Sequence, residues 1–236
     1  MARLPRLNLP NIPQHIVQRG NNRQITFVEP DDYVIYLEKL KYYAKEYSVK
    51  VHAFVLMTNH VHLLATPTTP NGVSKLMQSL GRYYVRYFNQ AYKRTGTLWE
   101  GRFKSTLVDS DNYFLVVSRY IELNPVRAGM VKHPAEYIWS SYQHNAVGKT
   151  IGLITEHSLY MQLGKDKLDR QARYRALFDD EIPSITVDEI KTATNNMWVL
   201  GNDKFKKQVE AMAGRRASPL PKGGDRKSVS FINSRK

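Results

Sequence analysis

Two short segments of this chain hold residue types whose spacing could do chemistry. In His60-Val61-His62 two imidazoles stand two residues apart. A strand sends alternate side chains to one face, so both rings project together. Adjacent imidazoles pack poorly as apolar core but make a ready pair of metal ligands. The same motif also reads as a pair of partly buried structural histidines. The second segment is Arg119-Tyr120-Ile121-Glu122-Leu123-Asn124-Pro125. Residues four apart share a helix face, which puts Tyr120 and Asn124 one turn from each other. Tyr120 could supply a phenolate nucleophile and Asn124 an amide oxygen for a hard cation. Tyr113, seven residues earlier, lies close to the same face and competes for that role, and among 15 tyrosines most serve packing.

Taken together, two imidazoles and an amide can build a three-ligand site with open positions for water and a phosphate oxygen. Mg²⁺ or Mn²⁺ there would polarise a phosphate, and imidazole suits Mn²⁺ better than Mg²⁺. Position 64 is leucine, which excludes a triad of alternating histidines. His15, His52, His133, His144 and His157 show no ligand spacing and are expected to be structural.

The surrounding pattern indicates what must position these groups. His15 to Gln18 reads as a short strand broken by Gly20-Asn21-Asn22. Tyr33, Leu37, Leu40, Ala44 and Tyr47 recur at helical spacing, which predicts a helix over 32–47. Lys50 to Met57 and His60 to Thr66 read as two strands of a hairpin turning at Thr58-Asn59. Asn71 is a candidate N-cap for a helix over 72–92. Residues 97–108 alternate, with Trp99, Phe103 and Leu107 on one face and Arg102, Lys104 and Thr106 on a basic outer face. A third helix starts at Ser110 or Asp111 and ends at Asn124-Pro125.

This order predicts an α+β fold, a ferredoxin-like antiparallel sheet with helices packed on it. Residues 159–178 and 186–213 look helical, so the expected division is a domain over 1–140, a helical extension over 141–213 and a basic, unstructured tail over 214–236.

With 236 residues, 42% of them hydrophobic, the chain can bury a real core. It has no cysteine, which excludes disulfides, zinc ribbons and thiol nucleophiles. Prolines at 5, 10 and 13 interrupt any secretory signal, and no apolar run is long enough to span a bilayer. A cytoplasmic protein, with no membrane partner, is expected. The net charge of +14 favours a polyanionic partner, nucleic acid above all.

Three segments carry a family resemblance in the expected order: Thr58-Asn59-His60-Val61-His62-Leu63-Leu64, Leu98-Trp99-Glu100-Gly101-Arg102-Phe103-Lys104 and Arg119-Tyr120-Ile121-Glu122-Leu123-Asn124-Pro125-Val126. Over about residues 12–145 the chain resembles the single-tyrosine HUH transposases, and in particular the branch of REP-associated tyrosine transposases. The resemblance implies that His60 and His62 are metal ligands, that Tyr120 is the nucleophile, and that Asn124 takes the third-ligand position, where many insertion-sequence relatives carry glutamine. It implies transesterification on single-stranded DNA at palindromic hairpins through a 5′-phosphotyrosine, in a bacterial cell and at its nucleoid. Long C-terminal extensions suit the REP-associated branch, and a monomer is favoured over a homodimer.

Candidate DNA contacts are Arg82, Arg86, Arg102, Lys104 and Arg119 for the backbone, with Arg19, Asn21 and Arg23 reading bases or gripping a hairpin. Two other functions fit the same residues, a catalytically silent hairpin-binding protein and an RNA-processing enzyme. The latter would depend on the 2′-hydroxyl.

Overall fold

The computed structural model describes residues 6–219. Its first part runs β1 (Gln14–Arg19), α1 (Pro30–Glu46), β2 (Val49–Met57), β3 (His60–Pro67), α2 (Gly72–Ala91), β4 (Lys104–Leu107) and α3 (Ser110–Glu122). The four strands form one sheet in the order β2-β3-β1-β4, each neighbouring pair antiparallel. This is the expected α+β, ferredoxin-like arrangement.

Because side chains alternate across each strand, the sheet serves two cores at once. Phe54, Leu56, Val61 and Leu63 face α1 and α2, where Tyr36, Leu40, Leu80 and Tyr84 close the layer. Ala53, Val55, Met57 and Leu64 face the other way, against Phe114, Val117, Tyr120 and Ile121 of α3. Burying each large apolar side chain contributes about 1.5–3 kcal/mol, so this double layer fixes α3 against the strand that bears His60 and His62. His60, His62 and Leu64 share the α3 face by the same alternation.

β2 carries a bulge, its register shifting between Val51 and Ala53. The residue between them is His52, whose buried ring donates from Nδ1 to Thr155 O (2.7 Å) and accepts at Nε2 from Thr66 Oγ1 (2.9 Å).

After α3 come α4 (Asn124–Arg127), α5 (Tyr142–Asn145), α6 (Ser158–Met161), α7 (Lys167–Ala176), α8 (Ser184–Asn196) and α9 (Asp203–Ala213). Each of the two long helices expected here is therefore split. Gly164 packs so closely that a Cβ on it would lie 2.6 Å from Arg170 N, and the chain turns there between α6 and α7. Met197 takes a left-handed conformation at φ 58° and stops α8. The chain beyond it pairs with the sheet edge: Leu200 bridges Val108 in parallel, and Leu200 N donates to Leu107 O (2.9 Å).

That edge also corrects the reading of 97–108. Only Lys104–Leu107 is strand, and the expected basic outer face is partly covered. Thr106 is buried and donates its hydroxyl to Trp198 O, while Lys104 Nζ donates to Asn195 Oδ1 (3.0 Å). Asn71 does not cap α2 with its side chain, because its backbone is left-handed at φ 61°. In the N-terminal arm the Arg6 guanidinium lies 3.7 Å from the Phe103 ring centre, and Leu7 is buried beside Leu107, Val199 and Val209. The start of that arm and Lys222, Arg226 and Lys227 of the expected basic tail lie outside the described residues. Among the described residues no helix is long and apolar enough to cross a membrane.

Candidate metal and nucleophile site

The site forms where β3, β1 and α3 meet. The His60 and His62 rings lie 5.1 Å apart, centre to centre. Tyr120 comes from α3 onto the same face, its ring 6.1 Å from that of His62. A third imidazole joins them. His15 of β1 lies beside His62, with His15 Nε2 2.9 Å from His62 Nδ1 and its ring 5.7 Å from Tyr120. Its other nitrogen, Nδ1, is 2.9 Å from Thr194 Oγ1 of α8.

Each ring of the His60/His62 pair has one nitrogen engaged. His60 Nδ1 lies 2.6 Å from Asn59 Oδ1, and His62 Nδ1 bonds His15 as above. An amide oxygen can only accept, so His60 carries its proton on Nδ1 and presents the lone pair of Nε2. Outer partners of this kind orient metal-binding histidines in general. Burial keeps these rings neutral. It lowers the pKa of His60 to about 4, with Arg19 adding to the effect, and that of His15 to about 3, with Arg127 adding. His62 is held well below the usual imidazole value by burial first and then by its histidine and arginine neighbours.

Among the described residues no group of three or more His, Cys, Asp or Glu side chains is arranged to hold a metal ion. Asn124 is the third donor that the sequence nominates. Its Nδ2 donates to Tyr120 O (2.9 Å) and Ile121 O (3.2 Å). Proline has no N–H, so Pro125 cannot bond Ile121 O in the helical pattern, and the Asn124 amide takes that place. This leaves Oδ1 as the atom of Asn124 free for a cation. Two neutral imidazoles and an amide oxygen fit Mn²⁺ or Mg²⁺ in donor chemistry.

Arg127 was not foreseen. Its guanidinium sits 4.1 Å from the Tyr120 ring centre, and Nη1 donates to Tyr120 O (3.4 Å). Among the described residues nothing hydrogen-bonds the Tyr120 hydroxyl, whereas Tyr113 donates its hydroxyl to Glu189 Oε2 (3.0 Å), away from the histidines. Glu122, between Tyr120 and Asn124, is fully buried. Its carboxylate accepts from Ser141, from Asn145 Nδ2 (2.9 Å) and from Tyr174 Oη (2.9 Å). Burial pushes its pKa up to about 7, although the three donors pull the other way.

The candidate DNA-contacting residues fall in three places. Arg19 is exposed at the end of β1, paired across from His60, and Asn21–Arg23 form a tight turn whose Arg23 O accepts from Asn59 Nδ2 (3.0 Å). Arg82, Arg86 and Arg102 line a cavity of about 700 Å³ with Trp99 and Phe103, between α2 and the loop before β4. Lys104 and Arg119 instead contact the extension, Arg119 donating to Asp180 O and lying over the Phe178 ring.

His15 and Thr194 were not legible as site residues either. Neither belongs to a sequence motif, because the contacts span 47 residues from His15 to His62 and 179 from His15 to Thr194.

Comparison with known proteins bears on the same region. Residues 8–124 match the model of the IS200-like transposase family. No curated protein sequence matches the chain. Among solved structures, a REP-associated tyrosine transposase bound to a REP hairpin is similar at 18% identity and a TM-score of 0.52, covering 67% of this chain and 96% of the other. A Deinococcus radiodurans R1 protein assigned as a transposase is similar at 19% identity and a TM-score of 0.37, covering 51% of this chain and 96% of the other.

Proposed function

Through residues 8–124 this chain belongs to the IS200-like transposases, and on that premise we propose that it cleaves and rejoins single-stranded DNA at palindromic hairpins, as a member of the REP-associated branch, with Tyr120 as nucleophile. The observation that carries the reading is the meeting of Tyr120 with the His60/His62 pair, 6.1 Å between the Tyr120 and His62 rings.

In the proposed reaction Tyr120 Oη forms a bond to phosphorus and loses its proton to solvent. The P–O3′ bond breaks, the 3′ oxygen takes up a proton, and a 5′-phosphotyrosine remains. The phosphoester is conserved, so a 3′-hydroxyl of another strand can reverse the step and release the tyrosine without ATP. Arg127 lies over the Tyr120 ring and bonds the Tyr120 backbone carbonyl. His60, His62 and Asn124 would hold Mg²⁺ or Mn²⁺, which when bound polarises the scissile phosphate.

Arg19 and the Asn21–Arg23 turn stand beside His60 and would meet the strand entering the site. Arg82, Arg86 and Arg102 would grip the DNA backbone at the cavity they line. Trp99, whose buried indole N–H has no hydrogen-bond partner among the described residues, would offer a surface and a donor for an unpaired base. The hairpin on the similar REP-associated transposase supports a hairpin as partner here. The expected division at 140 and 213 is part of this proposal, with His60, His62, Tyr120 and Asn124 all in the first unit.

The test is denaturing electrophoresis of the protein with end-labelled single strands carrying the palindromes beside its own gene, in Mn²⁺, Mg²⁺ or chelator. A metal-dependent covalent band that Tyr120→Phe removes is the expected result. Tight hairpin binding with no band under any ion would replace the enzyme by the silent binder.

A further inference from the structure

The residues of α8 lie beyond the segment that matches the transposase family, yet one of them reaches the metal site through a single intermediary. Thr194 Oγ1 lies 2.9 Å from His15 Nδ1, and His15 Nε2 lies 2.9 Å from His62 Nδ1. The two imidazole planes are within 17° of parallel. All three side chains are buried, His15 at 1%, Thr194 at 4% and His62 at 6% exposure, so no water screens the chain of bonds.

Two neutral imidazoles joined by one hydrogen bond must divide the roles of donor and acceptor. In the first arrangement His62 donates from Nδ1, His15 accepts at Nε2 and donates from Nδ1, and Thr194 accepts. His62 Nε2 then has a lone pair. In the second arrangement every bond is reversed. His15 donates to His62 Nδ1, the proton of His62 sits on Nε2, and that nitrogen cannot bind a cation. The first arrangement requires an acceptor for His15 Nδ1–H, since a buried orphan donor costs roughly 1–3 kcal/mol. Thr194 Oγ1 is the acceptor within reach.

We infer that Thr194 is a positioning residue which, through His15, sets the tautomer and orientation of His62 for metal binding. The inference rests on the proposed role of His62 as a ligand. It also gives the C-terminal extension a part in the chemistry, since α8 carries the terminus of this relay.

Thr194→Val keeps the shape and removes the acceptor. Without it the second arrangement is favoured, because a bare imidazole lone pair is easier to bury than a bare N–H. Outer partners of metal-binding histidines are worth about 10–100-fold in affinity. The expected result is a loss of at least about tenfold in Mn²⁺ affinity, read by electron paramagnetic resonance of free Mn²⁺ in the absence of DNA. Thr194→Ser, which restores a hydroxyl, should bind as the wild type does. In a His15→Phe background, Thr194→Val should cause no further loss. Thermal unfolding of each variant shows that the comparison is among folded proteins.

Long-range ¹H–¹⁵N spectra of the metal-free protein give a second readout. His62 should be protonated on Nδ1 in the wild type and on Nε2 in Thr194→Val. Equal Mn²⁺ affinity and an unchanged His62 tautomer in Thr194→Val would overturn the relay, as would an equal loss of affinity in the presence and absence of His15. If the tautomer switches as expected but the wild type binds no Mn²⁺, the relay stands as a device that orients His62, and it is the metal reading of the site that falls.

Discussion

Asn124 donates its side-chain amide to the backbone carbonyl of Tyr120, 2.9 Å away, across the junction where Pro125 interrupts the helical hydrogen bonds. One side chain thus holds the segment of the proposed nucleophile in shape while leaving its oxygen for a cation. Asn124→Ala should lower stability by roughly 1–2 kcal/mol through the lost bonds to Tyr120 and Ile121, seen as a lower urea midpoint. It should also reduce covalent adduct formation, with partial recovery at high Mn²⁺. A variant with wild-type Mn²⁺ dependence would leave Asn124 a purely structural residue.

Tyr113 and Tyr120 share α3 but not a setting. Tyr113 is tied to Glu189 near the surface, and Tyr113→Phe should keep full adduct formation and change stability by no more than about 1 kcal/mol. Loss of the band in this variant, with retention in Tyr120→Phe, would exchange the two assignments.

His52 predicts a pH dependence of stability. Burial lowers its pKa from 6.5 to about 4, opposed by the bond to Thr155 O. The unfolded chain takes up this proton near pH 6.5 and the folded protein only near pH 4, so between those values the unfolded state holds more protons. The contribution is complete above pH 6.5 and is lost as pH falls through about 4, a span of roughly 3 kcal/mol. Urea melts of wild type and His52→Gln at pH 7.5 and 4.5 should show the wild type's advantage shrinking at the lower value. An advantage that is the same at both pH values would mean that His52 is not held neutral by the fold.

Asp32 has four donors around one buried carboxylate: Val28 N (2.7 Å), Glu29 N (3.1 Å), Tyr87 Oη (2.8 Å) and Tyr92 Oη (2.7 Å). It ties the start of α1 to α2, far from the histidines. Asp32→Asn turns an N–H₂ toward those donors and should cost roughly 2–4 kcal/mol in chemical denaturation. Retention of wild-type stability would show that the tyrosines can rotate to other acceptors.

Arg82, Arg86 and Arg102 are exposed around one cavity, and each phosphate they contact should appear in the salt dependence of binding. For single strands the slope of log K against log salt should shrink by about 0.7 for each arginine replaced by alanine. Fluorescence anisotropy from low to moderate salt measures it. Slopes identical to wild type in all three variants would remove this surface from the DNA path.

The strands and helices through α3 were readable because alternation and helical periodicity report burial directly, and this sheet is buried on both faces. The same local rule put His60 and His62 on one face and Tyr120 one turn from Asn124. It could not bring β1 beside β3, and so His15 read as one more structural histidine although it touches His62. Arg127 follows a proline that looked like the end of the helix, but the chain makes another turn there and lays the guanidinium over Tyr120. In the extension, apolar residues continue through Met197 and Trp198, so periodicity ran two helices together. The left-handed backbone at Met197 and the bridge from Leu200 to Val108 are set by the sheet edge they meet.

The buried carboxylate of Glu122 has a consequence for which partner in the reaction moves. It stands two residues from Tyr120 and is bonded to Ser141, Asn145 and Tyr174. Lifting α3 away would leave those groups stranded in a dry interior, a rare sub-global opening and not a hinge motion. On the proposed reaction the tyrosine is then an immobile post. A cut strand would be tethered to it by its 5′ end, and the search for a new 3′ end would fall to the flexibility of the DNA.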